Sequence, residues 1–234
     1  MTSKNIVILS GAGISAESGI STFRDAGGLW EGHDIMEVAS PQGWEKNSEL
    51  VLDFYNKRRR QLSEVVPNEG HIALTRLEQK YRVTIVTQNV DDLHERAGSK
   101  NIIHLHGELK KVRSTKDQRL VYSWERDLNP GDRCSLGSQL RPHIVWFGEE
   151  VPLLQYAASL CSMADIFIIV GTSLQVYPAA GLTACVQESV PVYYVDPNPN
   201  VNHELSVVRN LHMIKETAAN GIPKLVDMLI TDDV

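Results

Sequence analysis

Short apolar runs alternate along this chain with longer segments of helical periodicity. The runs are rich in β-branched residues and predict buried strands at residues 6–9, 83–87, 102–105, 144–147, 166–170 and 192–195. Between most of them, apolar residues recur at helical spacing, which predicts helices over residues 50–65, 71–79, 153–162 and 179–188. Such alternation is typical of an α/β fold, a doubly wound and mostly parallel sheet with helices on both faces.

Two stretches interrupt this alternation. Residues 20–68 form a long helical insertion after the first predicted strand, and residues 108–143 are polar, irregular and rich in Arg, Asp, Gly and Pro. We interpret the chain, 1–234, as one domain in which the two insertions build a second, smaller module. The predicted core covers about residues 1–20, 69–107 and 144–234, and the module covers about residues 21–68 and 108–143.

Composition narrows the possible functions. Of 234 residues, 23 are basic and 29 acidic, and the net charge of −6 argues against a nucleic-acid-binding surface while leaving basic peptides possible as ligands. No apolar run approaches the roughly 20 residues of a membrane span, and the N-terminus passes at once into the first strand, so we expect a cytoplasmic protein without membrane attachment. Cys134, Cys161 and Cys185 are scattered and odd in number, which favours reduced thiols.

A glycine-rich turn follows the first predicted strand. Gly11 and Gly13 match two glycines of the dinucleotide fingerprint, and Ala16 stands where that pattern accepts Gly or Ala. Such a turn presents backbone N–H groups to a diphosphate. However, residues 19–43 show no strand alternation, so the acidic second strand of an ordinary dehydrogenase half is missing. The turn leads instead into a loop with Phe23 and Arg24, which indicates a functional loop.

Polar side chains also follow other predicted strands, at the edge where parallel sheets bind ligands. Gln88 and Asn89 have no helix-capping task, so we favour a role in holding ribose hydroxyls or a carboxamide, whereas for Asp92 a helix cap is an equally good interpretation. His104 and His106 share one face of a strand, and His106, at the strand end beside a glycine, is the better general base. The pair is a poor zinc site because no third ligand is apparent.

Three further segments complete the predicted crevice. Gly171, Thr172 and Ser173 suggest a second phosphate- or ribose-type turn, and Asp196 could bind both hydroxyls of a ribose. Residues 144–149 suggest an apolar strand whose exposed edge suits an extended peptide. Each segment alone could be a plain strand-to-helix connection, but together they favour a binding site.

These motifs resemble those of the sirtuins, the NAD-dependent protein-lysine deacylases, over nearly the whole chain. Gly-Ala-Gly-Ile-Ser, Thr-Phe-Arg-Asp, Thr-Gln-Asn-Val-Asp, His-Gly, Val-Trp-Phe-Gly-Glu and Gly-Thr-Ser stand in family order. The resemblance implies a Rossmann-like core, NAD as co-substrate and acyl-lysine proteins or peptides as substrates. It implies NAD contacts from Gly11, Ala12, Gly13, Ile14, Ser15, Glu17, Thr22, Phe23, Arg24, Gln88, Asn89, Asp91, His106, Gly171, Thr172, Ser173, Asp196 and Ala218, and substrate contacts from Val145, Phe147, Gly148 and Glu149.

The implied reaction agrees with the interpretation from the residues. In sirtuins the acyl oxygen of the substrate lysine attacks C1′ of the nicotinamide ribose, and nicotinamide leaves. By this resemblance His106 deprotonates a ribose hydroxyl, and Asn89 is the second catalytic residue. Water then completes the hydrolysis to free lysine and O-acyl-ADP-ribose, so NAD is consumed.

Tyr55 and Arg58 narrow the expected substrate. They match the Tyr-x-x-Arg of class III sirtuins, which remove succinyl, malonyl and glutaryl groups, and Ala26 matches the small residue that widens the same pocket. Residues three apart share a helix face, so a phenol and a guanidinium can bind one carboxylate. Without the resemblance, the simpler interpretation is that Arg58, Arg59 and Arg60 coat an exposed helix. With it, we expect a bacterial-type desuccinylase or demalonylase with weaker deacetylase activity.

The chain departs from the family at the zinc site. Sirtuins usually carry four cysteines there in two pairs, whereas here the first pair falls on residues 112–114 and the second keeps only Cys134. One thiolate cannot build a closed zinc site. We therefore expect a zinc-free module held together by packing of residues such as Leu120, Val121, Tyr122, Trp124 and Leu136.

Three alternative functions stay open. A protein ADP-ribosyltransferase would use the same NAD site. A NAD or ADP-ribose sensor without turnover has no need for His106 and Asn89, and a hydride-transferring dehydrogenase is disfavoured by the missing second strand. The sequence leaves the oligomeric state open.

Overall fold

The computed structural model describes residues 3–22, 29–30 and 32–231. Over these residues the strands are β1 (Asn5–Ser10), β2 (Leu29–Trp30), β3 (His33–Asp34), β4 (Arg82–Thr87), β5 (Ile102–His104), β6 (Gly107–Ser114), β7 (Val121–Ser123), β8 (Leu140–Ile144), β9 (Ile166–Val170), β10 (Val192–Val195) and β11 (Leu211–Ile214). The helices are α1 (Gly13–Ala16), α2 (Ile35–Val38), α3 (Pro41–Lys46), α4 (Ser48–Glu64), α5 (Glu69–Arg76), α6 (Leu93–Ala97), α7 (Leu154–Ser162), α8 (His203–Ser206) and α9 (Ala218–Thr231). Short 3-10 helices span Leu77–Gln79 and Ala179–Cys185.

A parallel sheet forms the centre of the described part of the chain. Its six strands lie in the order β11-β10-β9-β1-β4-β5, each parallel to its neighbours. β1 is a continuous apolar run because both of its faces are covered. Ile6 and Ile8 belong to the core under α5 and α9, and Val7 and Leu9 belong to the core under α7. The predicted α/β class with a doubly wound, mostly parallel sheet is confirmed.

The pattern did not predict the last two elements of this sheet layer, β11 and α9. β11 is an edge strand beside β10, and its side chains are partly exposed, so it lacks a continuous apolar run. In α9, buried residues recur at helical spacing at Ile222, Leu225, Val226 and Leu229. The helix packs this stripe onto the same face of the sheet as α5.

A smaller antiparallel sheet stands apart from the parallel one, with the order β7-β6-β8. The predicted core strand at 144–147 is therefore wrong, because Ile144 ends β8 of this small sheet. Its apolar residues are buried against α4, where Ile144 and Trp146 share a cluster with Phe54 and Tyr55. An apolar run indicates burial but does not say which sheet provides it. The predicted helix at 179–188 is likewise only the 3-10 helix at Ala179–Cys185.

The helical insertion begins with a short antiparallel pair, β2 and β3, which the pattern did not predict. Its helices begin at side-chain caps: Asp34 accepts from Met36 N, Ser40 from Gly43 N and Asn47 from Leu50 N. The insertion packs on the small sheet through α4, as the sequence led us to expect. The exact division of the chain into core and module stays a prediction.

Apolar packing also holds the outer part of the small sheet. Leu52, Val112, Leu128, Cys134 and Leu140 are buried together, with Leu120, Tyr122 and Trp124 packed against them. Val121 and Leu136 were predicted to join this packing, but their side chains are 38% and 53% exposed because they lie on the outer strand and an outer turn. Among the described residues, no helix combines the length and the apolar character needed to cross a bilayer.

Candidate functional site

A cleft of about 480 Å³ lies at the carboxyl ends of the parallel strands, bordered by α4 and by the segment after β8. It brings together most of the predicted site residues that the structure describes. Ile14 and Ala218 are buried in the core and do not line the cleft, and Phe23, Arg24 and Ala26 lie outside the described residues. The predicted residues lining it are Gly11, Ala12, Gly13, Ser15, Glu17, Thr22, Tyr55, Arg58, Gln88, Asn89, Asp91, His106, Val145, Phe147, Gly148, Glu149, Gly171, Thr172, Ser173 and Asp196.

The glycine turn after β1 packs directly against the turn after β9. The N–H of Gly11 donates to Val170 O at 3.0 Å, and that of Gly13 donates to Gly171 O at 2.7 Å. A Cβ on Gly11 would lie 2.7 Å from Thr172 Cβ, and one on Gly13 would lie 2.7 Å from Gly171 Cα. Glycine is therefore needed for the contact between the two turns. The N–H groups of Gly11 and Gly13 are donors within the protein, which differs from the predicted presentation to a diphosphate.

The polar residues after β4 form a connected hydrogen-bond group. Asn89 Nδ2 donates to Ser15 Oγ at 3.2 Å, and Ser15 Oγ donates to Asp91 Oδ2 at 2.9 Å. Burial raises the pKa of Asp91, although bonds from the Leu93 N–H and from Ser15 oppose the rise. The Asx cap at the start of α6 is made by Asp91, and Asp92 instead pairs with a lysine.

His106 and His104 differ in how their two ring nitrogens are hydrogen-bonded. His106 Nδ1 lies 3.0 Å from Gln88 O, and because a carbonyl only accepts, Nδ1 carries the proton and Nε2 keeps its lone pair. Burial lowers the pKa of His106. His104 is bonded at both nitrogens, to Asn89 O and to Glu95 Oε1; although burial opposes it, the bond to Glu95 raises the pKa of His104. The geometry thus favours His106 as a base.

Tyr55 and Arg58 lie on the cleft side of α4. The Tyr55 hydroxyl is buried and accepts a hydrogen bond of 3.1 Å from Trp146 Nε1. Because indole N–H only donates, the phenol keeps its own proton to give to another group. Burial raises the pKa of Tyr55, so the phenol stays protonated. The Arg58 guanidinium stands 4.8 Å from the centre of the Phe54 ring.

The three consecutive arginines of α4 point to three different environments. Arg58 lines the cleft. Arg59 is buried and donates to Leu109 O and Asn56 Oδ1. Arg60 pairs with Asp127 at the surface. The interpretation of an arginine-coated helix is therefore wrong.

Glu149 is held by two arginines that sequence reasoning missed. Arg141 Nη1 donates to Glu149 Oε1 at 2.7 Å, Arg113 Nη2 donates to Oε2 at 2.9 Å, and the Trp146 N–H donates to Oε2 at 2.8 Å. Although burial opposes it, the bonds from Arg141 and the Trp146 N–H and the charges of the two arginines hold the pKa of Glu149 below its usual value. The Glu149 side chain is thus engaged within the protein.

An apolar strand with an exposed edge was predicted at residues 144–149. The structure differs, because residues 145–149 do not form a regular strand with a free edge. The N–H of Val145 donates to His106 O and that of Phe147 to Ala39 O. Phe147 remains 38% exposed, and Gly148 has a φ of +90° with no atom near the position of a Cβ. The segment offers the cleft an apolar side chain and an open glycine.

The far end of the cleft lies between the turns after β9 and β10. Asp196 is 2% exposed, and its Oδ1 accepts from Asn198 N at 2.8 Å. The cleft thus has the Asp196 carboxylate at this end and the amide and imidazole groups of Gln88, Asn89 and His106 at the other. These groups fit the two riboses of a dinucleotide. Sequence reasoning missed further residues that line this end of the cleft. They follow the predicted turns directly and were detectable by that proximity: Val176, Tyr177, Pro178, Pro197 and Asn198.

The outer end of the small sheet does not fit a zinc ion. Cys134 Sγ lies 3.1 Å from Ser138 Oγ, which lies 2.9 Å from Ser114 Oγ. Structural zinc takes thiolate, imidazole or carboxylate ligands, and two hydroxyls do not replace them. In the part of the chain that the structure describes, no three His, Cys, Asp or Glu side chains are grouped to hold a metal.

Known proteins resemble this chain in sequence and in fold. The sequence pattern of the Sir2 family matches residues 11–178. The chain is 62% identical over 229 residues to a NAD-dependent protein deacylase of Helicobacter pylori, covering 96% of this chain and 97% of that protein. It is 50% identical over 233 residues to one of Bacteroides thetaiotaomicron, covering 97% and 98%. A solved complex of a Sir2 homologue with NAD superposes with a TM-score of 0.87 at 38% identity, covering 97% of this chain and 90% of that one.

Proposed function

Since this chain belongs to the Sir2 family, we propose that it is a NAD-dependent protein deacylase that removes succinyl and malonyl groups from lysine and acts more weakly on acetyl-lysine. The relatives' activity supports NAD-dependent deacylation of proteins. The products are free lysine, nicotinamide and O-acyl-ADP-ribose. The acidic-acyl preference is the more specific part of the proposal.

The observation that carries this preference is the pairing of Tyr55 and Arg58 in the same cleft as His106. Tyr55 is a protonated donor in a buried setting, and Arg58 brings a positive charge to the same helix face. A carboxylate needs a cation and hydrogen-bond donors when it leaves water. A neutral acetyl group would use neither.

Those proposed NAD-binding residues that line the cleft have suitable chemistry for that ligand. Bound NAD supplies an electrophilic ribose carbon and nicotinamide as leaving group. We assign Asp196 and the turn at 171–173 to the adenosine end, and Gln88, Asn89 and Asp91 to the nicotinamide ribose. His106 Nε2 accepts a proton from a ribose hydroxyl, and its Nδ1–H bond to Gln88 O fixes the ring for this transfer.

The test compares Arg58→Met with the matched control Arg60→Met on succinyl-, malonyl- and acetyl-lysine peptides. We expect R58M to raise KM for the acidic peptides and to lower their kcat/KM by about 10- to 100-fold, because a bond to a charged group is lost. Acetyl-lysine turnover should change far less. R60M should behave like the unchanged protein, since Arg60 pairs with Asp127 at the surface.

Three outcomes would count against the proposal. Equal kcat/KM values on the acidic and acetyl peptides in the unchanged protein, or an equal loss on all peptides in R58M, would reject the acyl preference. Transfer of label from adenine-labelled NAD to protein, in place of release as O-acyl-ADP-ribose, would indicate ADP-ribosyl transfer instead.

A further inference from the structure

A chain of contacts runs from Glu149 to the Tyr55 hydroxyl. Glu149 holds the Arg141 guanidinium through both oxygens, at 2.7 and 3.0 Å. The Arg141 Cζ stands 3.3 Å from the centre of the Trp146 ring, and Trp146 Nε1 donates to the Tyr55 oxygen at 3.1 Å. Arg141, Trp146 and Tyr55 are 8%, 2% and 0% exposed, so this series of contacts lies in the interior of the protein.

Each contact restricts the orientation of the next group. A guanidinium bound by both oxygens of a carboxylate is fixed in its plane. The Arg141 guanidinium stacks on the indole, and such a stack favours one ring orientation. Arg113 secures the arrangement from β6 by donating to both Glu149 Oε2 and Ile144 O. The indole is thereby held with its N–H toward α4.

The last contact sets what the phenol can do. The Tyr55 oxygen accepts from Trp146, so its own proton is left to donate to another group, and Tyr55 lines the cleft. Hydrogen bonds in series strengthen one another, and a phenol that accepts one becomes a better donor. A carboxylate in the acyl pocket is such an acceptor.

We propose that Trp146 and Arg141 are positioning residues for acidic-acyl selectivity and act through the hydroxyl of Tyr55. This inference rests on the proposed function, because it concerns how the same pocket recognises a carboxylate. It assigns part of the specificity to the segment after β8 and to the small sheet. Arg58 then supplies the charge, and the Trp146 bond fixes the direction of the Tyr55 donor.

The test is Trp146→Phe, which keeps an aromatic ring but removes the N–H. Its matched control is Trp44→Phe, because Trp44 stands 5.7 Å from Trp146 in the same cluster and does not line the cleft. We expect W146F to lower the ratio of succinyl-lysine to acetyl-lysine kcat/KM about three- to tenfold, mainly through KM, as one hydrogen bond is lost. W44F should leave this ratio unchanged.

A double-mutant cycle separates positioning from general damage to the fold. If Trp146 acts through the Tyr55 hydroxyl, W146F should not lower the ratio further in a Tyr55→Phe background. Should W146F fail to fold in a melting experiment, Arg141→Lys is measured in both backgrounds. Arg141→Lys keeps the positive charge but loses the planar stack on the indole. We therefore expect the ratio of succinyl-lysine to acetyl-lysine kcat/KM to fall when Tyr55 is present and to stay unchanged in the Tyr55→Phe background.

The outcomes distinguish this inference from the function on which it rests. If the protein without substitutions shows no preference for succinyl-lysine over acetyl-lysine, the proposed function is rejected. A clear preference that R58M abolishes and W146F leaves intact would overturn the positioning role alone. An equal fall of the ratio with W146F in both Tyr55 and Y55F backgrounds would also overturn it.

Discussion

At the scale of single residues, His104, which ends β5, and His106, which follows it, make opposite predictions about pH. Burial lowers the pKa of His106, whereas the bond to Glu95 raises the pKa of His104 against the effect of burial. Only the neutral imidazole accepts a proton. With His106 as base, kcat/KM should therefore stay high as the pH falls and should decline only below pH 6.5, the ordinary value for histidine.

The measurement is kcat/KM against pH with an acetyl-lysine peptide, whose acyl group does not titrate. A decline centred above pH 6.5 would contradict the assignment to His106 and would favour His104. His104→Gln serves as the control, because the decline should keep its position in that variant if His106 is the base.

The preference for His106 could be stated from the sequence because the end of a predicted strand and a neighbouring glycine are local signals, although β5 itself ends at His104. The bonds around the proposed acyl pocket are not local. Tyr55 meets Trp146 across 91 positions, and Glu149 meets Arg113 across 36. Arg58, Arg59 and Arg60 look alike in sequence, and their different environments follow only from the packing of α4.

At the scale of elements, the cap of α5 also supports the glycine turn. Asn68 Oδ1 accepts from Gly70 N at 2.9 Å, and Asn68 Nδ2 donates to Ile14 O and Ser18 Oγ at 2.7 and 2.9 Å. We expect Asn68→Ala to lower the free energy of unfolding by about 2 kcal/mol, from one cap and the bonds to α1 together. It should also raise KM for NAD, because α1 follows the turn that lines the cleft.

The matched control is Asn47→Ala, since Asn47 Oδ1 caps α4 by accepting from Leu50 N. It should cost about 1 kcal/mol in urea unfolding and leave KM for NAD unchanged. Equal losses in the two variants, with no change in KM for either, would contradict the link between α5 and the glycine turn.

The elements with a strong period were predictable, and those shaped by distant packing were not. α4 and α7 lie within about two residues of their predicted bounds because an amphipathic pattern directly reports burial. The run at 144–147 was assigned to the wrong sheet because its burial comes from α4. β11 lacked a signal because an edge strand has one side without a neighbouring strand and exposes part of its side chains.

At the scale of the whole molecule, the sheet order explains why residues far apart in sequence share one cleft. β1 lies between β9 and β4, so the turns that carry Gly11, Gly171 and Gln88 are adjacent at the carboxyl edge. In the proposed function, the substrate side comes from α4 and from the segment after β8, which lie outside the parallel sheet. The proposed acyl preference therefore depends on other elements than the turns that carry Gly11, Gly171 and Gln88.

The packing of the small sheet leads to a prediction about zinc. Apolar packing of Leu52, Val112, Leu128 and Leu140 with Cys134 already joins α4 to the small sheet, and the donor set there includes one thiolate and two hydroxyls. We expect protein purified from zinc-supplemented medium to contain far less than one zinc per chain, and a chelator to leave its melting temperature and deacylase activity unchanged. Cys134→Ser should melt within a few degrees of the parent, because it removes a small buried thiol and no metal ligand. One zinc per chain, lost together with stability in the Cys134→Ser variant, would show that this module depends on a metal after all.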